Sequence, residues 1–131
     1  MPLRVLVVDD YPDTRQSLRL LLRSWGHQAR EAPDGPRALD EVEAFRPDVV
    51  VLDIAMPGMD GYEVARQLQR PPSDGRPLLV ALTGHTRPVD VEAALEAGLH
   101  HFFAKPCDPG QLDFLLQAYE RARRRLVGGA V

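Results

Sequence analysis

The sequence contains little cysteine and no long apolar run, and each absence excludes a class of protein. Cys107 is the only cysteine among 131 residues, so an intrachain disulfide and a zinc site built from cysteines are both excluded. No stretch approaches the roughly 20 apolar residues that a membrane-spanning helix needs. The short apolar run near Met1 ends at two aspartates and does not resemble a signal peptide. We therefore expect a cytoplasmic protein without a membrane segment.

An excess of positive charge is also missing. Sixteen Lys and Arg residues stand against nineteen Asp and Glu residues, which gives a formal net charge of −3. Because modules that bind nucleic acid are usually basic, we expect no direct DNA binding. Hydrophobic residues make up 44% of the chain and charged residues 27%, which is typical of a folded globular domain. The length and the absence of repeats or linkers predict one domain over residues 1–131, with its core at about 3–120.

Short apolar runs alternate with helical patterns along the chain. Runs typical of strands occupy residues 5–8, 27–32, 49–52, 78–82 and 101–104. Helical stripes follow them, beginning with Leu18, Leu21, Leu22 and Trp25 at the spacing i, i+3, i+4, i+7. Five strands that alternate with five helices predict an α/β fold, in which a parallel sheet carries helices on both faces.

Local signals mark several of the helices. Gly26 and Gly98 are expected to end the first and fourth helices, and the fourth is marked by Val91, Ala94 and Leu95. The third helix is expected to begin at Asp60, in a pattern like a capping box, and to break at Pro71, Pro72 and Gly75. Asp108 is expected to cap the fifth helix. Four arginines give that helix a basic end, namely Arg121, Arg123, Arg124 and Arg125, before a weakly patterned tail at 126–131.

Polar or charged residues follow four of the predicted strands. Asp9 and Asp10 follow the first, Asp53 the third, Thr83 the fourth and Lys105 the fifth. Because the carboxyl ends of parallel strands meet at one edge, we expect these side chains to form one ligand site. Three neighbouring carboxylates repel one another and raise each other's pKa, and an oxygen-ligated cation such as Mg²⁺ relieves that repulsion. The hydroxyl and the ammonium can then bind an anionic phosphoryl group.

The order and spacing of these residues resemble the receiver domain of response regulators, the CheY-like family. The resemblance rests on Asp9-Asp10, on the segments 50–61 and 81–84, on Ala97-Gly98 and on Lys105-Pro106, and it extends from about residue 3 to 120. It implies a flavodoxin-like, doubly wound (βα)5 fold with the strand order 2-1-3-4-5. It also implies a function in two-component (phosphorelay) signal transduction. A sensor histidine kinase or a histidine phosphotransfer protein would pass a phosphoryl group from a phosphohistidine to Asp53.

The same resemblance assigns a role to each site residue. Asp53 is the phosphorylation site of a phosphoacceptor that assists its own phosphorylation and dephosphorylation and is not otherwise an enzyme. Asp10, Asp53 and the backbone carbonyl of Ala55 would bind Mg²⁺ directly, and Asp9 would act mostly through a water molecule on the ion. Phosphoryl transfer depends on positioning and charge neutralisation, which suits this set of groups.

Two further residues complete the implied catalytic and switching set. Thr83 and Lys105 would each bind a phosphoryl oxygen, and a cis peptide at Lys105-Pro106 is common in the family. Thr83 and Phe102 would form the switch, because Phe102 can swing inward when Thr83 moves toward the phosphate. The signal would pass to another protein through a surface formed by the fourth helix, the fifth strand and the fifth helix.

The residues also bear on several alternative functions. A flavin-binding protein of this topology needs a loop rich in Gly, Ser or Thr after the first strand, whereas residues 9–13 are acidic. A haloacid dehalogenase-like phosphatase needs a carboxylate two residues after its nucleophile, where this chain has Ala55. A receiver that only binds proteins should lack one of the charged site residues, whereas this chain has all of them. The start at Met1 and the short tail favour a stand-alone regulator, and a receiver module of a hybrid kinase or larger regulator stays the alternative.

Overall fold

The computed structural model describes residues 2–56, 58, 61–68, 77–84, 91–99 and 101–129, without the side chains of residue 91 and of residues 126–129. Strands and helices alternate throughout these residues. The strands are β1 (Arg4–Val8), β2 (Gln28–Ala32), β3 (Val49–Asp53), β4 (Leu78–Thr83) and β5 (His101–Ala104). The helices are α1 (Pro12–Ser24), α2 (Gly35–Phe45), α3 (Gly61–Leu68), α4 (Val91–Glu96) and α5 (Pro109–Gly129).

The strands form one sheet in the order β2-β1-β3-β4-β5, and every neighbouring pair is parallel. All five residues of β3 are buried, as expected for the centre of a sheet that is covered on both faces. The predicted fold and strand order are confirmed. None of the helices in the described part of the chain is long and apolar enough to cross a membrane.

Helices cover both faces of the sheet because successive strand residues point in opposite directions. Val7 belongs to a cluster that includes Leu22 of α1 and Leu116 of α5. Its neighbour Leu6 belongs to a second cluster, to which α2, α3 and α4 contribute Ala38, Val64 and Ala94. The chain therefore buries two apolar layers, and the carboxyl ends of its strands stay at one edge.

Some helix ends and faces differ from the sequence prediction. Gly26 and Gly98 follow α1 and α4 with φ angles of 91° and 89°, which confirms both predicted stops. Leu95 is 50% exposed, because α4 turns the smaller Ala94 toward the sheet. The backbone of residues 126–129 belongs to α5, so most of the predicted tail is helical. The predicted cap and breaks of the third helix, Asp60, Pro71, Pro72 and Gly75, lie outside the described residues.

Candidate functional site

The carboxyl ends of four strands bring the predicted site residues to one edge of the sheet. Asp9 directly follows β1, and Asp53 is the last residue of β3. Thr83 ends β4, and its register partner is Ala104 of β5, the residue before Lys105. The apolar runs thus end where the charged residues begin, because a charged group is stable near the sheet only where opposite charges or polar groups can reach it.

Three carboxylates and one ammonium meet at this edge. Oxygen atoms of Asp9, Asp10 and Asp53 all lie within 4.8 Å of one another. Lys105 Nζ lies 2.9 Å from Asp9 Oδ2 and 3.0 Å from Asp53 Oδ2. Asp9 and Asp53 are buried, whereas Asp10 is exposed. Two of the acids therefore face Lys105 from inside the fold, and Asp10 lies at the rim.

Backbone amides fix the two buried carboxylates. The Tyr11 amide donates to Asp9 Oδ1 at 2.9 Å, and the Ala55 amide donates to Asp53 Oδ1 at 3.0 Å. In each case the bond comes from the residue two positions further along the chain, as short polar side chains allow. The other oxygen of each carboxylate is thereby turned toward Lys105.

The electrostatic environment favours a charged lysine. Burial alone would lower the pKa of Lys105, but the two carboxylates that it contacts, Asp9 and Asp53, outweigh burial and raise that pKa. Burial raises the pKa of Asp9, against the opposing effects of Lys105 and the Tyr11 amide. One ammonium cannot neutralise three carboxylates, so the site retains negative charge that a cation can balance.

The carboxylates fit a divalent metal ion. Asp9 Oδ2 is buried and makes no hydrogen bond of good geometry with the described residues, although Lys105 Nζ is 2.9 Å away. Lys105 also faces Asp53 Oδ2, so one ammonium is shared between two buried carboxylates, and a cation would balance the remaining negative charge. Carboxylate oxygens are the hard ligands that Mg²⁺ prefers, and three of these side chains are close enough to share one ion. Ala55, whose carbonyl is the expected backbone ligand, is exposed beside them.

The predicted switch residues lie on the neighbouring strands. The Thr83 hydroxyl donates to the Phe103 carbonyl at 3.5 Å, which is a long and weak contact. The Thr83 carbonyl accepts a hydrogen bond from the Lys105 amide at 2.8 Å. Phe102 is half-buried against the apolar cluster that contains Ala94. The Lys105-Pro106 peptide is cis, which confirms that prediction.

For two residues near the site, the sequence predicted no structural role. Arg15 donates from one terminal nitrogen to the Asp9 carbonyl at 3.0 Å. Gly61 lies so close to β3 that a Cβ atom on it would be 2.4 Å from Ile54 Cα and 2.8 Å from the Asp53 carbonyl oxygen. The sequence signal for Gly61 was a glycine in the first turn of a helix, where alanine normally gives a more stable helix.

The comparisons with known proteins decide the family. The family described as response regulator receiver domain matches residues 5–117. The chain belongs to this family. The receiver is 40% identical over 115 residues to an uncharacterized 14.6 kDa protein of Leptolyngbya boryana from the sodA1 3′ region, and the match covers 88% of each chain. It is 46% identical over 106 residues to response regulator MprA of Mycolicibacterium vanbaalenii, over 81% of this chain and 45% of that protein.

The solved structures agree with this assignment. The chemotaxis response regulator CheY4 of Vibrio cholerae superimposes with a TM-score of 0.79 at 29% identity, over 90% of this chain and 98% of that one. This chain thus spans nearly the whole of some relatives but less than half of others such as MprA. The family excludes the flavin-binding and dehalogenase-like alternatives.

Family membership defines the general role of the site. Receivers are phosphoacceptors of two-component signalling rather than enzymes, and they imply a histidine kinase as partner. Asp9, Asp10 and Asp53 form the acidic pocket typical of a receiver, and Lys105 lies against it. The arrangement is therefore consistent with a phosphoacceptor site.

Proposed function

We propose that this receiver takes a phosphoryl group from a phosphohistidine, on a sensor histidine kinase or a histidine phosphotransfer protein, onto Asp53 in a Mg²⁺-dependent reaction. The observation that carries the proposal is the position of Asp53. Its carboxylate is buried at the end of the central strand β3, and its Oδ2 lies 3.0 Å from the Lys105 ammonium. A nucleophile at this position has a fixed orientation and lies next to a positive charge.

The transfer needs few groups, and the chain supplies them. A carboxylate oxygen of Asp53 forms a bond to phosphorus while the bond from phosphorus to the histidine nitrogen breaks. Lys105 balances charge on the phosphoryl oxygens, and the Thr83 hydroxyl, which has only a weak contact at present, is free to bind one of them. Asp10, Asp53 and the Ala55 carbonyl would hold Mg²⁺ directly, and Asp9 would act mostly through a water molecule on the ion. The bound ion supplies further charge neutralisation.

The proposed output is a change in protein–protein contacts. Thr83 moves toward the phosphoryl group, Phe102 follows it inward, and the surface of α4, β5 and α5 changes. A downstream protein that binds this surface receives the signal, without direct DNA binding by the receiver. We further propose that residues 1–131 form a single receiver domain. A cytoplasmic location suits the unpaired Cys107.

Phosphorylation with a small donor tests the proposal. The protein is incubated with Mg²⁺ and acetyl phosphate, and its intact mass is measured. We expect the wild type to gain one phosphoryl group, Asp53→Asn to gain none, and excess EDTA to stop the reaction. Asp40→Asn, a change at an exposed residue of α2, is the matched control and should label like the wild type. Equal labelling of Asp53→Asn and the wild type would contradict the assignment.

A further inference from the structure

A partly buried arginine connects the acidic turn of the site to an edge strand of the sheet. Arg15 of α1 donates to the Asp9 carbonyl at 3.0 Å, and its Nε donates to Glu31 Oε1 of β2 at 2.8 Å. The Arg15 side chain is only 13% exposed. Hydrogen bonds between charged groups are stronger than neutral ones, and partial burial protects this pair from screening by salt.

A second arginine holds Glu31 in place. Arg19, one turn further along α1, has its Nε 2.6 Å from Glu31 Oε2. Both carboxylate oxygens of Glu31 thus lie against guanidinium groups of the same helix, one in a hydrogen bond to Arg15 and the other in an ion pair with Arg19 that lacks hydrogen-bond geometry. The two contacts restrain rotation of the Glu31 carboxylate. Because Glu31 holds Nε of Arg15, a terminal nitrogen of the same guanidinium is directed toward the Asp9 carbonyl.

The contact with Asp9 has a direct consequence for Asp10. The Asp9 carbonyl belongs to the planar peptide unit that includes the Asp10 nitrogen and Cα, so a bond to this oxygen restrains the plane from which the Asp10 side chain projects. Two further bonds hold the same turn: the Asp9 amide to the Ala32 carbonyl at 3.2 Å, and the Tyr11 amide to the Asp9 carboxylate. Within the described parts of the chain, no hydrogen bond restrains the Asp10 carboxylate, so its direction depends on the backbone.

We propose that Arg15, oriented by Glu31, is a positioning residue that holds the Asp9–Asp10 peptide in the geometry required for cation binding. Glu31, which lies on β2 and outside the acidic pocket, therefore tunes the affinity for Mg²⁺. The inference rests on the proposed function, because it assumes that Asp10 is a metal ligand. It adds two residues outside the acidic pocket to the determinants of metal affinity.

Titration with Mg²⁺, followed by the backbone amide shifts of Asp10 and Tyr11, tests the proposal. Loss of one hydrogen bond of this kind corresponds to roughly a three- to tenfold weaker Kd, which we expect for Arg15→Met. Glu31→Gln should weaken binding in the same direction by less. The double variant should bind like Arg15→Met, because Glu31 acts through Arg15. Thermal unfolding of each variant separates a change in affinity from a general loss of stability.

A matched control lies on the same strand. Arg30 of β2 pairs with Glu41 of α2 at 3.2 Å on the exposed surface, and Glu41→Gln should leave the Mg²⁺ affinity unchanged. If Arg15→Met does not fold, Arg15→Lys serves instead, because a lysine cannot reach both acceptors at once and should also weaken binding. If the wild type binds no Mg²⁺, the proposed function fails. If the wild type binds Mg²⁺ but the Arg15 variants bind it equally well, or if the double variant shows additive losses, only this inference fails.

Discussion

The backbone of Gly61 packs directly against the proposed phosphoacceptor. Its amide donates to the Ile54 carbonyl at 3.3 Å, and an added Cβ would meet backbone atoms of Asp53 and Ile54 at less than 3.0 Å. These atoms belong to a buried strand end and cannot move aside without moving the site. Gly61 therefore fixes the separation between α3 and β3.

We expect Gly61→Ala to destabilise the protein by about 1–3 kcal/mol and to slow labelling of Asp53, because overpacking shifts the strand end. Unfolding in urea and intact-mass labelling measure the two effects. Gly110→Ala is the control: its Cβ would come no closer than 3.4 Å to Asp108, and we expect a change within about 0.5 kcal/mol. Wild-type stability of Gly61→Ala would contradict the close packing.

The two adjacent aspartates should differ in their effect on metal binding. Asp10 is exposed and is expected to contact the ion, whereas Asp9 is buried and bound to Lys105 and the Tyr11 amide. Asp10→Ala should therefore weaken Mg²⁺ binding and phosphorylation more than Asp9→Ala does. Mg²⁺ titration and intact-mass labelling compare the variants, and a larger loss of Mg²⁺ affinity for Asp9→Ala would reverse the assigned roles.

At the scale of helices and strands, the sequence predicts the order of the sheet well, but it predicts the contacts between helices and strands poorly. Each strand is a short apolar run, and parallel order brings the residues after those runs, such as Asp53 and Lys105, to one edge. The bond from Arg15 to Glu31 joins residues sixteen positions apart and depends on how α1 lies on β2. The exposure of Leu95 likewise depends on the rotation of α4, which its apolar spacing leaves undetermined.

The attachment of α1 to β2 through Glu31 should depend on pH. Although burial opposes it, the contacts with Arg15 and Arg19 hold the pKa of Glu31 below its usual value of 4.5. A carboxylate with a lowered pKa in the folded state stabilises the protein above the unfolded pKa and loses that contribution as pH falls through the folded pKa. The stabilisation is therefore complete at neutral pH and disappears in acid.

We expect Glu31→Gln to lower the free energy of unfolding by about 1 kcal/mol at pH 7, since partly exposed ion pairs contribute modestly. The difference between wild type and variant should shrink as the pH falls below 4.5. Urea unfolding across that pH range measures it, and Glu41→Gln, at an exposed pair, should show a smaller difference. A wild-type advantage that stays constant into acid would contradict this account.

Across the whole molecule, the paired strands β4 and β5 carry residues of both the site and the proposed output surface. The Lys105 amide bonds to the Thr83 carbonyl, and Phe102 packs in the apolar cluster that contains Ala94 of α4. Large apolar side chains, Leu95 of α4 and Phe114 of α5, are exposed on the two helices of that surface. A shift at Thr83 can thus reach a surface that has apolar groups available for a partner.

The phosphoryl group can shift this equilibrium only if it contacts the two states differently, and its bonds to Thr83 and Lys105 supply that difference. We therefore expect beryllofluoride, a phosphoryl mimic, to change amide chemical shifts at Asp53 and also at Thr83, Phe102 and residues 91–98. Asp53→Asn should show none of these changes and is the control. Chemical-shift changes confined to the carboxylates and Lys105 would mean that α4 and β5 do not respond. Specific DNA binding by the phosphorylated receiver itself would contradict an output through protein contacts. Because Phe102 packs against the cluster that contains Ala94, we expect the amide shifts of these two residues to change with the same dependence on beryllofluoride concentration.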